Sequence, residues 1–210
     1  MGLKSWLESL LRLVWKRPQR SEYDLLREAL EIKPTSEMLA DDALTQEQAR
    51  VIYRNSLADS GVVVDGCLER LVEDTFGPLG RTVFLRFKGA PVLSAEEKRQ
   101  LGLNVRAKYW HRFIECFDLQ ALGGTDPKSL VELCFFRAWD AAYRQKSIRV
   151  ARRFDCQFVT VDSMGECRCY EKKRFHVDEL PPFPNEDCPL DRCMCLIHPV
   201  LPLLEDLSDD

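Results

Sequence analysis

Apolar side chains recur with a helical period over the first fifteen residues of the chain. They are Leu3, Trp6, Leu7, Leu10, Leu11, Val14 and Trp15. This spacing is typical of one face of an amphipathic helix, and Pro18 closes the segment. The pattern predicts a helix within residues 1–20 that docks on its own domain or on a partner protein. The alternative is a helix that lies on a membrane surface, anchored by its tryptophans.

Helix-start signals predict that residues 21–154 are mostly helical. Thr45–Gln48 has the spacing of a capping box, in which two side chains satisfy exposed amides at the start of a helix. We therefore expect a loop over residues 33–44 and a helix after it. Ser94–Glu97 has the same spacing and predicts a second, shorter helix. The apolar pattern of residues 67–76 predicts another helix between these two.

The second half of this region carries the clearest start signal. Asp126 followed by Pro127 is the typical beginning of a helix, and the apolar pattern after it predicts a long central helix that runs to about Phe154. Helical spacing of apolar residues also predicts a helix over 105–117. Residues 81–89 are rich in β-formers and predict a short strand.

The pattern changes after the central helix. Residues 155–200 begin with a predicted strand over 156–163 and continue as a cysteine-rich segment, and residues 201–210 form an acidic tail. The sequence therefore predicts an α+β fold, with a mostly helical body and a small β-rich, Cys-rich C-terminal module.

Composition and charge narrow the class of protein. The 210 residues are 45% hydrophobic and 30% charged with a net charge of −4, which fits a globular protein and disfavours one that coats nucleic acid. No apolar run approaches the ~18 residues of a transmembrane helix. Lys4 and Glu8 interrupt the N-terminal stretch, so we expect no export signal there and a cytoplasmic, reducing location.

Nine cysteines are the most informative residues. Six of them fall within 40 residues, with the spacing C-x10-C-x-C-x18-C-x4-C-x-C, and two histidines lie in the same region. The candidate metal ligands are Cys156, Cys167, Cys169, Cys188, Cys193, Cys195, His176 and His198. Zinc takes four such ligands, and close pairs separated by a gap suit a tetrahedral site. We therefore predict one zinc ion, or two if all eight ligands bind.

Other uses of these cysteines stay open at this point. An iron–sulfur cluster also takes four thiolates, although the spacing matches no common ferredoxin pattern. Disulfides would need an oxidising compartment. The remaining cysteines, Cys67, Cys116 and Cys134, fall on predicted helices and are expected to pack as small apolar side chains. No common catalytic motif is present, which favours a non-enzymatic role.

A local excess of positive charge suggests an alternative function. Residues 137–174 contain ten Lys or Arg and five Asp or Glu. A nucleic-acid-binding or regulatory zinc protein could use this stretch to contact phosphates. The candidate contacts are Arg144, Lys146, Arg149, Arg152, Arg153, Lys172 and Lys173.

The cysteine-rich segment also carries a family resemblance. A paired-cysteine turn is followed by a hairpin, a proline-rich link and a final C-x-C element. The matching residues are Cys167, Cys169, Phe175, Asp178, Pro181, Pro182, Pro184, Cys193 and Cys195. This order resembles the C-terminal signature of phage head-morphogenesis (minor capsid) proteins, except that the first pair is C-x-C instead of C-x-x-C and the hairpin has no glycine. The resemblance implies a role in capsid assembly or in a mobile element, with a protein as the partner.

Overall fold

The computed structural model describes most of the chain after residue 34. The described residues are 35–78, 84, 87, 89–163, 167–170, 172–184, 186, 188 and 193–200. The predicted N-terminal helix and the acidic tail lie outside them, and so does most of the predicted strand 81–89. The chain forms two compact units, residues 1–40 and 41–210. Of the first unit only residues 35–40 are described, so the account below concerns the second.

The described residues form five helices and a three-stranded antiparallel sheet, so the predicted α+β fold is confirmed. The elements are α1 (Ser36–Asp59), α2 (Leu68–Thr75), α3 (Ala95–Gln100), α4 (His111–Ile114), α5 (Pro127–Arg153), β1 (Phe158–Asp162), β2 (Lys173–His176) and β3 (Leu196–Pro199). In this part of the chain no helix is both long and apolar enough to cross a membrane.

The start of α1 differs from the prediction. The helix begins at Ser36, so the predicted loop over 33–44 is mostly helix and Thr45–Gln48 is not a capping box. Instead, the hydroxyl of Thr45 donates to the carbonyl of Asp41, 2.6 Å away and one turn earlier. Gln48 accepts a hydrogen bond from Arg149 of α5. Thr45 and Gln48 therefore have the spacing of a capping box, but they are used for a tertiary contact with Arg149.

The two other start signals are confirmed. Asp126 Oδ1 accepts hydrogen bonds from the amides of Lys128 and Ser129, both at 2.9 Å, and Pro127 is the first residue of α5. Both bonds of the capping box between Ser94 and Glu97 are present at the start of α3. These signals work because they satisfy amides within the same turn and need no tertiary partner.

The predicted helix over 105–117 is wrong, because only α4 is helical there. The amide of Leu93 donates to the carbonyl of Tyr109 at 3.0 Å, and Val92 and Trp110 form an antiparallel bridge just before α4. The buried ammonium of Lys98 binds two further carbonyls, those of Val105 and Ala107, at 3.1 and 2.8 Å. These carbonyls are therefore used outside a helix, although the apolar spacing is helical.

Most of the helices surround one apolar core. Its centre is aromatic: Tyr53 of α1, Phe76 after α2, and Phe135 and Trp139 of α5 have ring centroids 5.7 to 6.3 Å apart. Tyr53 and Phe135 are completely buried. The last turns of α5 leave this core and contribute Ala151 to a second one.

The second core lies under the three-stranded sheet, whose order is β2-β1-β3. The central strand β1 confirms the strand predicted over 156–163. Val159 pairs with Phe175 of β2 and Val161 pairs with Ile197 of β3, and both valines are completely buried. The buried members of this core include four cysteines, three valines and Ile197.

Candidate functional site

All six cysteines of the C-terminal segment belong to the second core. Cys156, Cys167, Cys193 and Cys195 are buried in it, and Cys169 and Cys188 are half-buried against it. All nine cysteines of the chain are described and carry free thiols. We call Cys167, Cys169, Cys188, Cys193 and Cys195 the thiol cluster. The fold therefore brings together residues that are separated by up to 28 positions.

Cys167 lies at the centre of the thiol cluster. Its sulfur is 3.8 Å from the sulfur of Cys188 and 3.9 Å from Ser163 Oγ. Ser163 Oγ in turn lies 3.8 Å from the sulfur of Cys195. Ser163 was not predicted as a site residue, and its only signal in the sequence is its position at the end of β1. It connects the two C-x-C pairs through one hydroxyl.

The thiols of this cluster differ in their affinity for a proton. Hydrogen bonds lower the pKa of Cys167 to about 7, the largest contribution coming from the Cys169 amide and smaller ones from the side chains of Cys169, Cys188 and Ser163. Burial raises the pKa of Cys195 to about 12, and the neighbouring Cys193 and Cys167 add to this rise. Of these two thiols, Cys167 therefore loses its proton at the lower pH.

The two histidines lie on the sheet beside other partners. His176 of β2 packs edge-on against Phe158, with ring centroids 5.7 Å apart, and its Nδ1 accepts a hydrogen bond from the amide of Asp178. His198 of β3 has its Nε2 3.5 Å from Asp162 Oδ2. These partners of the two histidines, Phe158, Asp178 and Asp162, all lie outside the thiol cluster.

Cys156 lies in the second core, just after the end of α5. Its amide donates to the carbonyl of Ala151 at 2.9 Å, and its sulfur lies 3.8 Å from the carbonyl of Phe154. Cys156 therefore closes the end of α5. Across the described residues, no group of three or more His, Cys, Asp or Glu side chains is arranged to hold a metal ion. Cys167 and Cys188 are two candidate ligands whose sulfurs lie 3.8 Å apart.

Arg144 of α5 joins the helical body to the thiol cluster. Its side chain is buried, its Nη1 donates to the carbonyl of Cys193 at 3.2 Å, and its guanidinium carbon lies 5.3 Å from the ring centroid of Phe183. Lys173 of β2 makes a similar backbone contact, because its Nζ donates to the carbonyl of Cys169 at 3.2 Å. Two of the candidate nucleic-acid contacts thus hold the backbone of the cysteines.

The other candidate nucleic-acid contacts on α5 face carboxylates. Lys146 pairs with Asp42, and Arg149 and Arg153 both approach Asp41, at 2.8 and 3.7 Å. Arg152 pairs with Asp178 at 2.8 Å. Lys172 lies in the turn before β2 with a φ of 53°, a left-handed conformation. The positive charge of this helix is therefore used largely within the protein.

Comparison of the chain with protein-family models, curated proteins and solved structures gives no significant match. The function therefore has to be inferred from the residues themselves.

Proposed function

We propose that residues 155–200 form a zinc-stapled module and that the protein is a non-enzymatic assembly or interaction protein. The observation that carries the zinc proposal is the pair Cys167–Cys188, whose sulfurs are 3.8 Å apart inside a core that holds all six C-terminal cysteines. Two thiolates on one tetrahedral zinc, each about 2.3 Å from the metal, lie about 3.8 Å apart. A disulfide would need about 2.05 Å.

The ligand set that we propose is drawn from the thiol cluster. Cys167 and Cys188 are the first two ligands, because their sulfurs already have the required separation. Cys169 and either Cys193 or Cys195 supply the other two after rotation of their side chains. A second ion would recruit Cys156 and the histidines. Because thiolate is the form that binds zinc, binding releases protons from the more strongly protonated members.

The energetic need for a metal follows from the size of the module. Three strands of four or five residues enclose a core with few large aliphatic side chains. Such a small core supplies little stabilisation, and a bound metal can provide the missing free energy of folding. A module held in this way presents a fixed surface without any need for catalysis. The resemblance to head-morphogenesis proteins supports an assembly role with a protein partner, and the predicted N-terminal helix offers a second contact.

Nucleic-acid binding through residues 144–174 is the weaker proposal. Arg149 and Arg152 already pair with carboxylates, and Arg144 is buried against the thiol cluster. Phosphate contacts would have to replace these internal partners. We expect any such binding to fall steeply with salt, because displaced counterions drive it.

Elemental analysis of the purified full chain tests the zinc proposal. We expect one zinc per chain, lost in Cys167→Ser and in Cys188→Ser. The matched control is Cys134→Ser, which changes a buried cysteine of the first core and should keep the metal. If the protein instead contains iron and absorbs visible light, the cysteines hold an iron–sulfur cluster and the zinc proposal is wrong. A protein that is folded, free of metal and has nine titratable thiols would overturn the proposal.

A further inference from the structure

A second group of thiols lies in the helical body, where no sequence pattern predicts one. Cys67 and Cys116 are 49 positions apart, yet Nη2 of Arg70 approaches both sulfurs, at 3.4 and 3.2 Å. One guanidinium nitrogen therefore donates to two thiols. The neighbouring Cys67 thiol also contributes to the raised pKa of Cys116, after the larger effect of burial.

Backbone hydrogen bonds hold these two segments together. The amide of Val64 donates to the carbonyl of Cys116 at 2.9 Å, and the amide of Asp118 donates to the carbonyl of Val62 at 2.8 Å. Val63 and Phe117 form an antiparallel bridge between them. The separation of the two cysteines is therefore fixed by a short backbone ladder, independent of their side chains.

The two cysteines differ in accessibility. Cys67 is half-buried and stands at the N-terminal end of α2, with its sulfur 4.0 Å from the carbonyl of Glu115. Cys116 is buried, and burial is the main cause of its raised pKa, which the hydrogen bond from Arg70 opposes. An incoming reagent can therefore reach the Cys67 sulfur more easily than the buried Cys116 sulfur.

The positively charged guanidinium of Arg70 lies beside both sulfurs. Among the described residues, Arg70 Nε is buried and has no hydrogen-bond partner, so the guanidinium has given up solvent at that atom. Positive groups beside a cysteine stabilise the thiolate, which is the reactive form. This arrangement of an accessible thiol, a buried thiol and a shared cation is that of an attacking and a resolving cysteine.

We propose that Cys67 and Cys116 are a redox-active dithiol, which a low-molecular-weight disulfide such as glutathione disulfide oxidises to an intramolecular disulfide. The Cys67 thiolate attacks one sulfur of the small disulfide, the S–S bond breaks, and one small thiolate leaves and takes up the proton that Cys67 released. The Cys116 thiolate then attacks the Cys67 sulfur and expels the second small thiolate, which takes up the Cys116 proton. Two protein thiols are oxidised, and one small disulfide is reduced to two thiols.

The sequence allows a direct readout in the intact protein. Trypsin releases residues 55–70 and 113–128, and each of these peptides contains one cysteine. The native full chain is equilibrated in glutathione buffers of increasing oxidising strength, quenched with acid, alkylated and digested. We expect a cross-linked 55–70/113–128 peptide that grows with the oxidant and disappears with a reductant. If both peptides stay alkylated, or each carries only glutathione, the proposal is wrong. The zinc content does not enter this readout, so it is tested separately.

Two variants assign the roles. With Cys116→Ser we expect the 55–70 peptide to stop at the mixed disulfide with glutathione. Arg70→Gln should slow oxidation about tenfold, the value of one charged hydrogen bond, and Arg70→Lys should restore most of the rate. The control is Arg54→Gln, which removes a nearby exposed arginine that pairs with Glu69 instead of sulfur. Equal rates for the Arg70 and Arg54 variants would contradict the role given to Arg70.

Discussion

Arg149 Nε lies 2.8 Å from Asp41 Oδ1, and the Asp41 side chain is only 4% exposed. The other two guanidinium nitrogens of Arg149 donate to Thr45 and Gln48, at 2.9 and 2.8 Å. One residue of α5 therefore binds three polar side chains in a row on α1. The sequence indicates Arg149 as a candidate phosphate contact, but in the structure it binds side chains of α1.

Replacing Arg149 tests whether its contacts with α1 stabilise the fold. In Arg149→Met the Asp41 carboxylate loses its closest cation, so we expect the free energy of unfolding to fall by about 3 kcal/mol. Urea denaturation followed by circular dichroism measures it. The matched control is Arg152→Met, since Arg152 and Asp178 are both about 60% exposed, and an exposed pair contributes at most about 1 kcal/mol. Similar losses in both variants would contradict the role of Arg149.

The hydroxyl of Tyr53 makes a buried hydrogen bond of 2.6 Å with the hydroxyl of Thr75. Thr75 also donates to the carbonyl of Leu71, so Tyr53 is the donor to Thr75. Burial raises the pKa of Tyr53, which keeps the phenol protonated at all physiological pH values. The pair therefore stabilises the contact between α1 and α2 as a neutral hydrogen bond.

A double-mutant cycle measures this pair. Thr75→Val leaves the phenol buried without an acceptor, and we expect a loss of about 2 kcal/mol in the free energy of unfolding. Tyr53→Phe removes the donor and should cost about 1 kcal/mol. The double variant should be less destabilised than the sum of the single ones. Strict additivity would show that the two hydroxyls do not interact in solution.

Asp126 serves two structures at once. Its Oδ1 caps α5, and its Oδ2 accepts the hydroxyl of Tyr109 in the extended segment before α4. In Asp126→Ala both are lost, and we expect the free energy of unfolding to fall by about 2 kcal/mol. Asp126→Asn keeps an acceptor for the cap and should lose less than half of that. Thermal unfolding of the two variants measures the difference, and equal losses would show that charge, not capping, is the important property.

The sequence predicts features that are completed within one turn of chain. Asp126–Pro127 and Ser94–Glu97 satisfy their own neighbouring amides, so their helix starts are correct. The Thr45–Gln48 prediction fails because Arg149, a distant residue, binds both side chains. The apolar spacing of 105–117 fails because Lys98 binds backbone carbonyls in that segment. The gathering of the C-terminal cysteines follows from their spacing, whereas Ser163 and the Cys67–Cys116 pair arise from tertiary contacts that no local pattern contains.

Metal removal should loosen the second core and leave the first one intact. The amides of Val177 and Val200 donate to the carbonyls of Gln157 and Phe158, and these bonds join the module's edges to β1. If zinc stabilises the module, a chelator should increase hydrogen exchange there to near the unfolded rate, because local stability then falls without global unfolding. Amides of α1 around Tyr53, in the first core, should keep their protection and serve as the internal control. Hydrogen exchange with mass spectrometry, before and after chelation and after zinc is restored, makes the measurement. Unchanged protection of the sheet in a protein shown to have lost its metal would mean that apolar packing alone holds the module, and would remove the structural role proposed for zinc.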